Sequence, residues 1–159
     1  MNSKEYKNIF NTVARKNGFE KAFGGWFKES QECLLVLDLQ KSNFGDYYEM
    51  NVKIFVQGVF GSHYVKSKNL VKKDIGDIFT RQPNEMKNVL IFDDVQMTDV
   101  ERIVNTEKLF DEFIVPFAQK AMSITGIKEL AAQGIITILP AVEQEIQRLS
   151  GAVYYMADF

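Results

Sequence analysis

Between Leu34 and Val56 the chain reads LLVLDLQKSNFGDYYEMNVKIFV. Apolar and polar positions alternate there on either side of a polar turn, which is the period-two signature of β-strands. The first strand is predicted over Glu32 to Lys41. Cys33, Leu35, Leu37 and Leu39 share one face of it, and Leu34, Val36, Asp38 and Gln40 the other. Ser42 to Asp46 make the connection, with Asn43 and Gly45 as turn formers. The next strand is predicted over Tyr47 to Gln57. Tyr48, Met50, Val52, Ile54 and Val56 form an apolar row, and Tyr47, Glu49, Asn51 and Lys53 an opposite, mostly polar one. Such alternation marks an antiparallel sheet with one covered face.

Around this pair the periodicity changes. Tyr6, Ile9, Phe10 and Val13 recur at helical spacing, so a helix is predicted from Ser3, as N-cap, to Asn17, with Gly18 as the stop. Gly24-Gly25 reads as a turn and Trp26 to Glu29 as a short strand. Gly58 to Asp74 reads as a long loop, and Ile75 to Arg81 and Asn88 to Asp94 as two more strands. Thr98 and Glu101 fit a capping box at the start of a second helix, which Pro116 must end or kink. Shorter helices are expected over Gly126 to Gln133 and Pro140 to Leu149, the latter closed by Gly151. The apolar tail AVYYMADF is expected to dock. A helix, a meander of four to five strands and then helices packed on one sheet face make an α+β fold. The chain of 159 residues has the length of a single domain, 1–159.

Composition narrows the chemistry. With 19 basic against 21 acidic residues the chain lacks the surplus of cations that a nucleic-acid binder needs. The basic run VKSKNLVKK, which holds Lys66, Lys68, Lys72 and Lys73, reads as a solvated loop. One cysteine and one histidine exclude a zinc site of Cys and His ligands within the monomer. Cys33 lies on an apolar row and reads as a buried structural thiol, and His63, in GSHY, as an exposed bystander. No G-x-S-x-G elbow, P-loop or G-x-G-x-x-G is present. Asp93-Asp94 reads as a pair of turn acids near a helix start rather than as a metal site. No metal or cofactor is expected. The start of the chain lacks the apolar core of a signal peptide, and no apolar run approaches the ~20 residues of a membrane span. A reducing cytoplasm is the simplest compartment, and no membrane partner is expected.

The N-terminal half also resembles a known family. Gly18-Phe19, the aromatic pair Trp26-Phe27, the element Leu39-Gln40-Lys41-Ser42 followed by Phe44, and the pair Asn51-Val52 look like the motifs of a bacterial family of unknown function, domain-of-unknown-function family 4304. The resemblance covers roughly Lys4 to Phe92. One departure is Asp74, where the family has a basic residue before Ile-Gly. The resemblance implies a fold class and no activity.

If the two long strands form a hairpin, Asp38, Gln40, Ser42, Tyr47, Glu49 and Asn51 gather at its turn end, and Trp26 borders them. This polar corner is either a solvated sheet face or a site that hydrogen-bonds a ligand or partner. Leu34, Val36 and Phe55, at the far end of the same face, call for a cover, and the C-terminal tail is one candidate. The leading expectation is a small cytoplasmic, non-catalytic binding protein. One version is an immunity-type inhibitor that binds a partner protein. The alternative is a carboxylate-dependent hydrolase or transferase acting on a small molecule through Asp38, Glu49 or Asp93-Asp94.

Overall fold

The central pair of strands forms as the alternation requires. In a computed structural model, which describes residues 1–157 and the side chains of residues 1–151, β3 (Cys33–Lys41) and β4 (Tyr48–Val56) pair antiparallel over their full lengths. They form the middle of a five-stranded meander in the order β1 (Glu20–Ala22), β2 (Gly25–Glu29), β3, β4, β5 (Ile78–Arg81). All pairings are antiparallel and between neighbours in sequence.

The inner face carries Leu35, Leu37, Leu39, Met50, Val52 and Ile54, all buried. Helix α1 (Ser3–Lys16) lays Tyr6, Phe10 and Val13 into the same core. Its cap is Asn2, not Ser3. The Asn2 side chain accepts from the Glu5 amide, and Glu5 answers on the Asn2 amide, which makes a complete capping box. The remaining cover is helical: α3 (Asp99–Leu109), α4 (Val115–Ala121), α5 (Ile124–Ala132) and α6 (Pro140–Ala157). Thr98 and Glu101 form the predicted capping box of α3. Pro116 does not end the helix. Its missing donor and its ring are accommodated by one turn of π-helix, Phe110–Ile114, after which α4 continues. A Cβ on Gly126 would stand 1.9 Å from the Lys120 carbonyl oxygen, so α4 and α5 meet at a distance only glycine permits. Gly151 does not close α6, which runs on to Ala157. The expected docking of the tail side chains lies outside the described residues.

Three local expectations are corrected. The turn before β2 is Phe23-Gly24, not Gly24-Gly25. Both of its residues have positive φ, +55° and +81°, as a two-residue type I′ hairpin demands, and it creates the short strand β1. The segment Asn88 to Asp94 is not a strand. Its carbonyls at Val89 and Ile91 accept from the buried guanidinium of Arg102, at 2.7 and 3.0 Å, and only Ile91 bridges to Tyr47. Gly58 to Asp74 is not simply a loop. It contains α2 (Lys68–Lys72), capped by Ser67, which presses Leu70 and Val71 onto the outer face of the sheet. There they join Phe27, Leu34, Val36 and Phe55 in a second, smaller core, with the Tyr64 ring 4.9 Å from that of Phe55. The outer apolar rows are thus covered by α2.

Cys33 is fully buried, and burial first, with the nearby charges of Glu32 and Asp77 adding, pushes its thiol up to about 12. Two predictions follow from this packing. Ile54→Asp places a charge in the main core and is expected to cost well over ~3 kcal/mol of a typical ~5–15 kcal/mol, so circular dichroism should show no cooperative melt. Near-normal melting would mean that the faces of β4 are reversed. The Cys33 thiol should resist Ellman's reagent in native protein and react fully in denaturant. Because the folded protein holds this proton above the ordinary value of 9.0, the thiol draws stability away as pH rises from there to about 12, and none below.

Candidate functional site

Pairing register brings three polar side chains into one row across the outer face. Asp38 on β3 lies opposite Asn51 on β4, and Asn51 opposite Arg81 on β5. Arg81 can only donate, so the Asn51 atom that its Nε meets, at 3.1 Å, is the amide oxygen. The Asn51 amide nitrogen then faces two acceptors, Gln40 Oε1 at 2.9 Å and Asp38 Oδ2 at 3.4 Å. Asn51 is only 5% exposed and therefore belongs to a buried network that organises its neighbours.

The second wall comes from α2. Val71 sits directly over β2, where a Cβ on Gly25 would approach its methyl group within 2.9 Å. Lys53, 4% exposed, reaches up from β4 and donates to the carbonyl oxygens of Leu70 and Val71, at 3.2 and 2.7 Å. Those are carbonyls that a helix end leaves unpaired. Burial lowers the pKa of Lys53, while the charge of Asp38 opposes that shift. So anchored, α2 carries Lys72 and Lys73 over the polar row. Lys7 of α1 and the exposed Ile75 and Phe79 complete a cleft of about 420 Å³.

The cleft is cationic. Six lysine or arginine side chains line it against two acids, Asp38 and Asp74, although the chain as a whole carries −2. Asp38 is 6% exposed, yet its Oδ1 receives no hydrogen bond. Lys72 Nζ stands 3.6 Å from that oxygen, close enough for attraction and too far for a hydrogen bond. Leaving a buried acceptor unpaired costs ~1–3 kcal/mol.

Of the residues singled out from sequence, Asp38, Gln40 and Asn51 come together here. Glu49 and Tyr47 do not line the cleft: Glu49 accepts from Gln82 Nε2 at 2.9 Å, and Tyr47 bridges to Ile91. Ser42 closes the β3–β4 turn by accepting from the Phe44 amide. Trp26 does not border the corner. It pairs with Leu37 on the inner face, is 1% exposed, and donates its indole N–H to Asn11. Asp93 lies elsewhere, with its carboxylate accepting from the amides of Asp46 and Asp94. His63 is exposed. Sequence reasoning missed Lys7, Lys53, Lys72 and Arg81. For Lys53 and Arg81 the signal was their place on the outer rows, and for Lys72 it was the buried pair Leu70-Val71 inside the basic run. No group of three His, Cys, Asp or Glu side chains able to hold a metal ion occurs among the described residues. No helix there is long and apolar enough to cross a membrane.

An acid kept for the fold and one kept for an occupant respond differently to loss of charge. Asp38→Asn preserves shape, keeps an acceptor for Asn51 and removes a desolvated charge. Its melting temperature is expected to match or exceed that of the unaltered protein, within about 1 kcal/mol, since the exposed Lys72 partner contributes little. A loss of ~3 kcal/mol or more, the cost of breaking a structural buried pair, would assign Asp38 to the fold instead.

Neither a curated protein nor a solved structure matches the chain. A family profile does, over residues 10–120, a stretch that includes the whole sheet, α2 and every lining residue of the outer-face cleft except Lys7. The chain belongs to the family described as a domain of unknown function, DUF4304.

Proposed function

We propose that this is a small, non-catalytic binding protein that holds its partner in the cleft on the outer sheet face. The observation that carries the reading is the orphaned Oδ1 of Asp38, buried in a cationic cleft and short of one donor. A folded protein retains such a cost where an occupant repays it. The rim supports a macromolecular partner. Ile75 is 66% exposed and Phe79 37%, beside the charged interior, which is the mixture of apolar and cationic surface found at interaction hot spots. An immunity-type inhibitor that covers an acidic region of a toxin is the version this surface fits best. The same reading has the protein working in the cytoplasm, where its one free thiol, Cys33, stays reduced. Against the alternative of a carboxylate-dependent hydrolase or transferase stands the scatter of the acids. Glu49 is held by Gln82 and Asp93 by backbone amides, and neither reaches Asp38.

The test is capture from extracts of the native host, read by mass spectrometry, with the unaltered chain and with Gln40→Ala/Lys72→Ala as baits. Both side chains are exposed, and Gln40 accepts from the buried Asn51 amide, so melting should fall by no more than the ~1–3 kcal/mol of one unpaired buried group. The partner retained by the unaltered bait should be lost from the variant. Retention of the same partner by both baits would move the binding site off this face.

A further inference from the structure

The cleft makes two chemical demands at once. Its interior is cationic, and it lies between low-dielectric walls that strengthen the field felt by an anion. Among its cations, Lys72 touches only the oxygen of Asp38 at 3.6 Å, and Arg81 spends its Nε on Asn51. The terminal nitrogens of the Arg81 guanidinium have no protein acceptor among the described residues. Beside these unspent donors stands the opposite need, an acceptor with no donor, Asp38 Oδ1. A bare anion satisfies the cations and is repelled by Asp38. A neutral hydroxyl or amide satisfies Asp38 and leaves the cations unpaired.

Resting on the reading of this cleft as a binding site, we infer that its occupant is an oxyanion, carboxylate or phosphate, that carries a hydrogen-bond donor beside it. The oxyanion draws Lys72 to itself and lies on Lys72 and Arg81, and the donor takes the place that Lys72 leaves beside the buried Asp38 Oδ1. The guanidinium offers a fork suited to two oxygens of one planar or tetrahedral group, and Arg81 is steadied by the Phe79 ring, 5.6 Å from its central carbon. The shared chemistry has two sources. One is an acidic side chain of a partner protein, with a neighbouring backbone N–H as the donor. The other is a free small acid such as a sugar phosphate, with a hydroxyl as the donor.

The experiment is an amide-resolved NMR titration of the intact chain with five probes. Glucose 6-phosphate carries both features. Inorganic phosphate carries chiefly the anion, and glucose only the donors. The peptide acetyl-Gly-Asp-Glu-Gly-amide carries both features in protein form, and acetyl-Gly-Asn-Gln-Gly-amide only the donors. Saturable shifts centred on Gln40, Asn51, Lys72 and Arg81 are expected from glucose 6-phosphate or the acidic peptide, and none from glucose or the neutral peptide. Whichever of the two binds identifies the source. The better probe should bind about tenfold tighter than inorganic phosphate, the worth of one added hydrogen bond to a charged acceptor. In Asp38→Asn that advantage should shrink towards one while phosphate itself binds better, because a repelling charge is gone. Lys72→Gln/Arg81→Gln should lose all binding while its amide spectrum stays that of the folded protein, although Asn51 loses the Arg81 donor. No saturable shift from any probe, equal shifts from charged and neutral probes, or an advantage unchanged by Asp38→Asn would overturn the inference. If the capture experiment still shows a partner lost from Gln40→Ala/Lys72→Ala while the probes fail, the cleft remains the site and only its oxyanion chemistry falls.

Discussion

One buried ammonium group decides how the outer face of this protein is organised. Lys53 rises from the middle of β4 and ends on the last carbonyls of a five-residue helix. A helix that short is not stable alone, because its nucleation is never repaid by propagation. It exists because its two apolar residues find Phe27, Leu34, Val36 and Phe55, and because Lys53 satisfies its open end. Everything distinctive about that face follows. With α2 seated, the outer apolar rows are closed and Lys72 and Lys73 overhang the polar row. Asp38 becomes the floor of a cleft instead of an acid on an open sheet.

Much of the fold could be read from the chain, and the parts that could not share a cause. The alternation in β3 and β4 assigned both faces, because a period of two admits no intermediate reading. The capping box at Thr98 was local and complete. By contrast, α2 carries only two apolar residues in a run of lysines, and their burial depends on a surface formed by strands far away in sequence. The segment Asn88 to Asp94 has strand composition. Its hydrogen bonds, though, are claimed by Arg102 from α3, and no local propensity reports that competition. Pro116 left two readings open, an end or a kink, because the rule concerns an α-helical ladder, and one π turn before it lets the helix run on. The candidate site divides the same way. Asp38, Gln40 and Asn51 were readable from strand parity and hairpin register. Arg81 and Lys72 needed the pairing of β5 and the docking of α2. Trp26 was misplaced because a five-residue strand between two tight turns leaves its facing ambiguous.

Net charge was a poor guide to local field. A chain at −2 reads as indifferent to anions, and the cations that matter are six among nineteen. They are concentrated because α1, α2, β3, β4 and β5 each contribute to one concavity. Their mutual repulsion is moderated by two acids, and Asn51 ties one end of the polar row to the other through a single amide.

The smallness of α2 has a kinetic meaning. Two buried side chains and one ammonium form a weakly attached unit beside a sheet whose strands are paired throughout. Such units open at lower free energy than the whole molecule, so the amides of α2 are expected to exchange with solvent before those of β3 and β4. One wall of the cleft therefore breathes independently of its floor. An occupant that bridges Lys72 above and Asp38 below joins the two, and closes that breathing in proportion to its own affinity.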